Sequence, residues 1–118
     1  MKSIFEPSKS LIIFYVSGFS DYDGWKVFEE LKIGTKVELR CEPDNPHNPE
    51  AVAIYYKDFK IGYALGEKSW GFFKLLYFGH EDILEAHITM VDESELPSSS
   101  IIVSISITDK RKLQGKEI

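Results

Sequence analysis

Three prolines and three side chains rich in hydrogen-bonding groups crowd one short stretch of the sequence, CEPDNPHNPEAVAIYY (41–56). Proline fixes its own φ angle and pushes the preceding residue toward an extended conformation, so this corner is held by its own backbone. Asn45 and Asn48 each carry amide donors and an acceptor, and His47 offers a flat ring with two nitrogens. Such a set suits recognition of a sugar hydroxyl or the face of a base. The same asparagines could instead satisfy the amides of their own turn, so a purely structural role stays open.

Carboxylates near this corner, and near a turn at 18–24, are the other groups that could take part in catalysis or metal binding. They could form an acid pair or hold a divalent cation, although carboxylates in such segments more often cap turns. They are Asp21, Asp23, Glu42, Asp44 and Glu50.

Other patterns typical of catalysis or metal binding are missing from the sequence. The three histidines and the one cysteine, Cys41, form neither a C-x-x-C pair nor a helix-spaced histidine pair. No nucleophile elbow of the form G-x-S-x-G occurs, and no phosphate-binding loop of the form G-x-x-x-x-G-K. We therefore expect no metal, no cofactor and no enzymatic activity.

Composition limits which partners the protein can be expected to bind and in which compartment it can be expected. A chain of 118 residues is long enough for one core. A net charge of −5 argues against a broad electropositive surface for duplex DNA, so any contact with nucleic acid must be local. One cysteine permits no intramolecular disulfide, and the apolar run near the amino terminus is too short for a signal peptide or a membrane span. We expect a cytoplasmic protein without membrane contact.

The elements that must position these residues are mainly strands. Loops between them are too short for most parallel crossovers, so the sheet should be mainly antiparallel and curl into a partly open barrel. A short helix or turn is expected before Gly34, and a helix around Trp70 to Tyr77 that stops at Gly79. Apolar runs and alternation predict strands over 10–19, 35–41, 51–56, 59–64, 83–91 and 101–108.

Further predictions concern which strand faces are buried, where a strand is irregular and where the domain ends. The run 10–19 is continuously apolar and predicts a buried strand, and Gly62 predicts either a bulge or a close approach by another backbone. In the strand 83–91, alternation directs Leu84, Ala86, Ile88 and Met90 toward the core. One domain is expected over 1–118, with a core at about 11–108 and a flexible tail at 109–118.

Three blocks of the sequence resemble a known family. G-F-S-D-Y-D-G (18–24), G-T-K-V-E-L-R-C-E-P-D-N-P-H-N-P-E-A-V-A-I (34–54) and K-I-G-Y (60–63) are similar to successive blocks of a HIRAN domain, and the likeness covers about residues 11–91. The resemblance implies a six-stranded, OB-like barrel that binds single-stranded DNA ends carrying a free 3′-hydroxyl. In that family a terminal base stacks between two aromatic rings, a carboxylate accepts a hydrogen bond from the hydroxyl, and basic groups contact phosphates.

Carried over by position, the resemblance implies a set of residues that bind nucleic acid: Tyr22, Asn45, His47, Asn48, Tyr63 and Lys68. The sequence departs from the family pattern at several of them. Ser20 and Asp21 stand where an arginine and a tyrosine are expected. His47 replaces a stacking tyrosine, and Asn48 replaces the aspartate that binds the hydroxyl. The segment A-L-G-E (64–67), which includes Gly66, replaces the expected lysines and leaves Lys68 as the nearest cation.

Three functions follow from these observations. The first is non-catalytic, weak binding of a single-stranded DNA or RNA end. The second is a protein-interaction or assembly module with the same fold, which binds a partner protein or forms a homodimer. The strand IIVSISIT (101–108) could pair at an edge with another copy to give that dimer. The third is a small hydrolase that uses Asp21, Asp23 and Asn48 with a metal.

Overall fold

The structure is a computed structural model that describes residues 10–64, 70–92 and 100–108. Within these residues, six strands form one closed barrel in the order β1-β4-β3-β2-β5-β6, and each pair of neighbours is antiparallel. The predicted mainly β, OB-like, six-stranded barrel is confirmed, but it is closed where the sequence predicted a partly open one. The strands are β1 (Ser10–Ser17), β2 (Lys36–Glu42), β3 (Ala51–Tyr56), β4 (Phe59–Ala64), β5 (Leu84–Asp92) and β6 (Ser100–Ile107), and the α-helix is α1 (Trp70–Tyr77).

The interior of the barrel is filled by alternate residues of the strands. In β6, Ile101, Val103 and Ile105 are fully buried, as their period of two predicts. Full burial of a valine or isoleucine side chain contributes about 1.5–3 kcal/mol, so β6 is a major source of the stability of the barrel.

Strand β1 is less buried than its continuous apolar run predicted. Phe14 and Val16 lie in the core, whereas Ile13 and Tyr15 are 53% and 62% exposed. A strand of a barrel has one inner and one outer face, so every second apolar residue of β1 points outward. The prediction of a wholly buried strand is therefore wrong for the outer face.

A bulge in β5 corrects the prediction for Met90. Ile88 lies opposite Val103, but Met90 lies opposite Ile102, so Thr89 is an extra residue in β5. Ala86 and Ile88 are buried as predicted, and Leu84 is half-buried. Beyond the bulge the alternation changes phase, which leaves Met90 38% exposed and turns Val91 toward the core.

Short helices lie between β1 and β2 and between β4 and β5. Residues 19–30 form 3-10 helices, Phe19–Asp21 and Gly24–Glu30, where the sequence predicted a helix or turn. Helix α1 ends as predicted, because Gly79 adopts a left-handed φ of 85°. The N–H of His80 then donates to the carbonyl of Leu75 at 2.7 Å, which is the Schellman type of helix end.

Both edges of β6 are paired within the barrel, one with β1 and the other with β5. The expectation that this strand offers a free edge to another copy is therefore wrong, and a homodimer stays a prediction without that interface. None of the helices in the described ranges has both the length and the apolar character needed to cross a membrane.

Candidate nucleic-acid interface

The proline-rich corner connects β2 to β3 and is folded by its two asparagines. The side-chain oxygen of Asn45 accepts hydrogen bonds from the backbone N–H groups of His47, at 2.8 Å, and Asn48, at 3.0 Å. The side-chain oxygen of Asn48 accepts one from the N–H of Glu50 at 2.9 Å. The structural role that the sequence left open thus exists, and it fixes the corner so that His47 and Asn48 lie exposed at its tip.

A polar cluster lies at the foot of the corner, which we call the Glu42 network: Glu42, Asn45, Lys60 and Tyr63. One oxygen of Glu42 accepts hydrogen bonds from the Tyr63 hydroxyl at 2.6 Å and from the Asn45 amide at 3.0 Å. Its other oxygen pairs with the Lys60 ammonium at 2.7 Å. Lys60 also donates to the Tyr63 hydroxyl at 2.9 Å. Both oxygens of the carboxylate are therefore engaged by side chains of this network.

The bulge predicted at Gly62 brings Lys60 and Tyr63 together. Tyr55 lies opposite Lys60 and Ile54 lies opposite Gly62, so Ile61 is an extra residue in β4. In a regular strand, residues three apart point to opposite faces, but the extra residue places Lys60 and Tyr63 on the same outer face. Only glycine fits at 62, because its φ is 152° and a Cβ there would approach the Ser17 carbonyl oxygen to 2.5 Å.

The ionisable groups of the Glu42 network are partly buried, and their pKa values depart from the ordinary ones. Burial alone would raise the pKa of Glu42, but hydrogen bonds from Lys60, Tyr63 and Asn45 outweigh burial and hold that pKa below its ordinary value. Burial likewise opposes the charge of Lys60, yet its hydrogen bonds to Glu42 and Tyr63 raise its pKa well above the usual range. Burial and the Glu42 carboxylate together raise the pKa of Tyr63. At neutral pH the site therefore holds an ionised pair and a neutral phenol.

Tyr22 reaches the Glu42 network from the turn after β1. Its ring meets that of Tyr63 edge to face, with centroids 5.5 Å apart, and the Lys60 ammonium lies 5.2 Å from the Tyr22 centroid. The turn is tied to β4 because the N–H of Asp23 donates to the Lys60 carbonyl at 2.9 Å. Gly18, with a φ of 77°, makes room for the Tyr22 ring. The backbone before Tyr22, at Gly18, and after it, at Asp23, therefore fixes the position of the Tyr22 ring.

A second cluster of the same residue types lies elsewhere, and we call it the Glu30 network: Glu30, Tyr56 and Lys57. One oxygen of Glu30 accepts hydrogen bonds from the Tyr56 hydroxyl at 2.7 Å and from the Lys57 ammonium at 3.2 Å. Lys57 and Glu30 are 63% and 50% exposed, whereas Lys60 and Glu42 are each 22% exposed. The two networks share their chemistry and differ in burial.

The residues predicted for nucleic-acid binding divide into three groups. Tyr22, Asn45 and Tyr63 come together at the Glu42 network, and His47 and Asn48 lie at the tip above it. Lys68 lies outside the described residues, as do Gly66 and the tail 109–118. Glu42 and Lys60 were not among the residues predicted to bind nucleic acid. Glu42 was noted only as a carboxylate near the corner, although both residues stand in the quoted blocks, Glu42 directly before Pro43 and Lys60 three residues before Tyr63.

A hydrolase that uses Asp21, Asp23 and Asn48 with a metal stays a prediction. Among the described residues, no three carboxylates, histidines or cysteines lie close enough together to hold a metal ion. Asp23 pairs with Lys26 at 3.4 Å.

The structure thus combines a small antiparallel barrel with a rigid polar corner and a pair of aromatic rings. The sequence matches the HIRAN domain family over residues 10–114, and the protein belongs to this family, which is known for nucleic-acid binding. No curated protein matches the chain.

Two crystal structures resemble the fold. A protein from Lactobacillus plantarum is 19% identical, with a TM-score of 0.65, covering 82% of this chain and 94% of its own. The HIRAN domain of human HLTF is 14% identical, with a TM-score of 0.59, covering 88% of this chain and 80% of its own.

Proposed function

We propose that this protein is a non-catalytic module that binds an end of single-stranded nucleic acid, in particular a DNA strand with a free 3′-hydroxyl. The observation that carries the proposal is the pairing of Tyr22 with Tyr63 at the foot of the corner that presents His47 and Asn48. Tyr22 is half-buried, so its position is fixed while part of its ring stays accessible to a base. A stacked base contributes about 1–3 kcal/mol without regard to sequence.

The tip of the corner supplies the polar contacts in this proposal. The oxygen of Asn48 already accepts one hydrogen bond, from Glu50, and a carbonyl oxygen has a second lone pair for a ribose or deoxyribose hydroxyl. The amide nitrogen of Asn48 is a donor suited to a phosphate oxygen. The exposed ring of His47 offers a second flat surface beside the terminal base. Because the prolines hold the corner rigid, little conformational entropy is lost on binding.

The electrostatics favour weak binding with a shallow dependence on salt. Lys60 is neutralised by Glu42, and the whole chain carries a net charge of −5. Few phosphates can then be neutralised by the protein, so stacking and hydrogen bonds supply most of the affinity. Lys68 is proposed as the phosphate contact from its place in the sequence.

Fluorescence anisotropy with short labelled strands tests this function. DNA strands that differ only in a 3′-hydroxyl or a 3′-phosphate, and an RNA strand of the same sequence, are titrated at low and moderate salt. We expect tighter binding of the hydroxyl end and at least about tenfold weaker binding by Tyr22→Ala, since a stacking surface is lost. His47→Ala and Asn48→Ala should remove the preference for the hydroxyl.

The matched control is Tyr15→Ala, which removes an exposed tyrosine of β1 that lies beside β6. This variant should bind as the wild type does. Equal weakening by Tyr15→Ala and Tyr22→Ala, or no binding of any strand at high micromolar protein, would refute the proposed interface.

A further inference from the structure

Strands β2 and β5 separate after a short paired stretch. They pair at Lys36 with His87 and at Val37 with Ala86. Strand β2 then continues along β3 from Glu38 to Glu42, and in the described sheet no residue of β5 pairs with that segment. Alternate residues of an antiparallel strand direct their N–H and C=O groups toward each neighbour, so Glu38–Cys41, which lines the groove described below, presents a row of backbone groups on the side away from β3.

This separation opens a groove of about 660 Å³ between β2, β5 and the end of α1. Apolar side chains from all three elements line it, and each of them is half-buried: Leu39, Cys41, Leu76 and Leu84. The groove thus combines two features that an added strand requires, an edge with backbone hydrogen-bonding groups and an apolar surface for alternate side chains.

The groove is bordered by more negative than positive charge. Glu81, Asp82 and Glu85 line the side formed by β5 and the helical turn before it. On the β2 side, Lys36 and Arg40 are positive and Glu38 is negative, and the charge of Arg40 is offset by Glu38 at 2.7 Å and by Asp58 at 3.6 Å. An acidic border attracts a cationic partner and disfavours an anionic one, including nucleic acid.

We propose that an extended basic peptide segment of a partner protein adds to the edge of β2 in this groove. Its alternate apolar side chains lie on the leucines and Cys41, and its lysine or arginine side chains face Glu81 and Glu85. None of the residues of the Glu42 network lines the groove, so the peptide site is independent of the proposed nucleic-acid interface.

A labelled peptide of the sequence Lys-Val-Lys-Val-Lys-Val-Lys-Val is the probe. We expect saturable binding by fluorescence anisotropy, with amide chemical-shift changes in the full chain concentrated at Val37–Cys41 and Leu84–Ala86. A peptide with glutamate in place of lysine should bind at least about tenfold more weakly, because it meets like charge. A peptide N-methylated at every second residue keeps its charge but loses backbone donors, and it should also lose at least about tenfold in affinity.

Charge reversal of the groove supplies a protein-side test. Glu85→Lys should weaken binding of the lysine peptide about fivefold or more, and Glu29→Lys, an exposed site on the 3-10 helix Gly24–Glu30, should change it by less than about twofold. Equal binding of the N-methylated and parent peptides to the wild type would overturn the proposal. So would shift changes outside the groove, or a concentration-dependent dimer that Glu85→Lys abolishes, because a second copy would then be the occupant.

Discussion

The Glu42 and Glu30 networks share three residue types, glutamate, tyrosine and lysine, but they differ in their exposure to water. In each, a carboxylate accepts hydrogen bonds from a tyrosine hydroxyl and a lysine ammonium. The Glu30 network forms on an exposed surface, where water competes for every partner and salt screens the charges. The Glu42 network is partly buried, so a member that loses its partner cannot regain water freely.

Burial therefore decides which of two similar ion pairs holds a site together. The Glu42 network fixes Tyr63, against which Tyr22 packs, and it anchors Asn45, which folds the corner. The Glu30 network joins the helical segment to the β3–β4 hairpin, and it contacts none of the residues predicted for binding that the structure describes. Because the sequence supplies both networks, each substitution at one has a matched control at the other.

Removal of the carboxylate should give the largest difference in stability between variants of the two networks. Glu42→Gln leaves the Lys60 ammonium partly buried without a counter-charge, and we expect a loss of about 2 kcal/mol in the free energy of unfolding. Glu30→Gln should leave the midpoint of unfolding unchanged within error. Urea titration followed by tryptophan fluorescence measures both, and equal losses would show that burial does not distinguish the networks.

Double-mutant cycles sharpen the same comparison. For Glu42→Gln with Lys60→Met, we expect a coupling free energy of about 1–2 kcal/mol, because the two groups contact each other in a partly buried site. The cycle of Glu30→Gln with Lys57→Met should give coupling indistinguishable from zero. A measurable coupling in the exposed pair that survives high salt would contradict this account.

Removal of the tyrosine hydroxyls should give a smaller difference in stability between variants of the two networks. Tyr63→Phe retains the ring that packs on Tyr22 but removes a donor to Glu42 and an acceptor for Lys60, so we expect a loss of about 1 kcal/mol. Tyr56→Phe should have a smaller effect, since water can replace its hydroxyl at the exposed Glu30 carboxylate. Thermal unfolding of both variants is the measurement, and a larger effect at Tyr56 would be the contrary result.

Acid should remove the contribution of Glu42 gradually. Its pKa is lowered on folding from an ordinary value of 4.5, so the unfolded chain binds the proton more readily. The stabilisation is then fully present above that value and is lost as the pH falls through the folded pKa. Lys60, whose pKa is raised, stays protonated throughout this range.

The difference in unfolding midpoint between wild type and Glu42→Gln should therefore be constant above about pH 5.5 and shrink below about pH 4.5. Glu30→Gln should track the wild type at high salt over the same range. If the unfolding midpoints of wild type and Glu42→Gln still differ by the same amount at pH 3, the ionised carboxylate is not the source of that difference.

Local patterns of the sequence predicted the elements of the fold well. Alternation located β2 and β6, and Gly79 ended α1, because each of these depends on residues close together in the chain. Gly62 also marked the bulge in β4, although the backbone that it approaches, at Ser17, is distant in the chain. The prolines and asparagines of the corner likewise indicated a rigid turn. The family resemblance pointed to Tyr22, Asn45 and Tyr63, which the structure brings to one place, while their role in binding stays a proposal.

What the sequence determined by itself is therefore the strand content, the antiparallel barrel and a stiff polar corner, since backbone restraints and hydrophobic alternation act locally. The tertiary structure decided that Met90 points outward, that Lys60 and Tyr63 share a face, and that Glu42 joins them. It also decided that β2 parts from β5 to open the groove. The physical reason is that a single extra residue in one strand reverses every side chain beyond it, and only pairing with the neighbouring strand fixes where that residue falls.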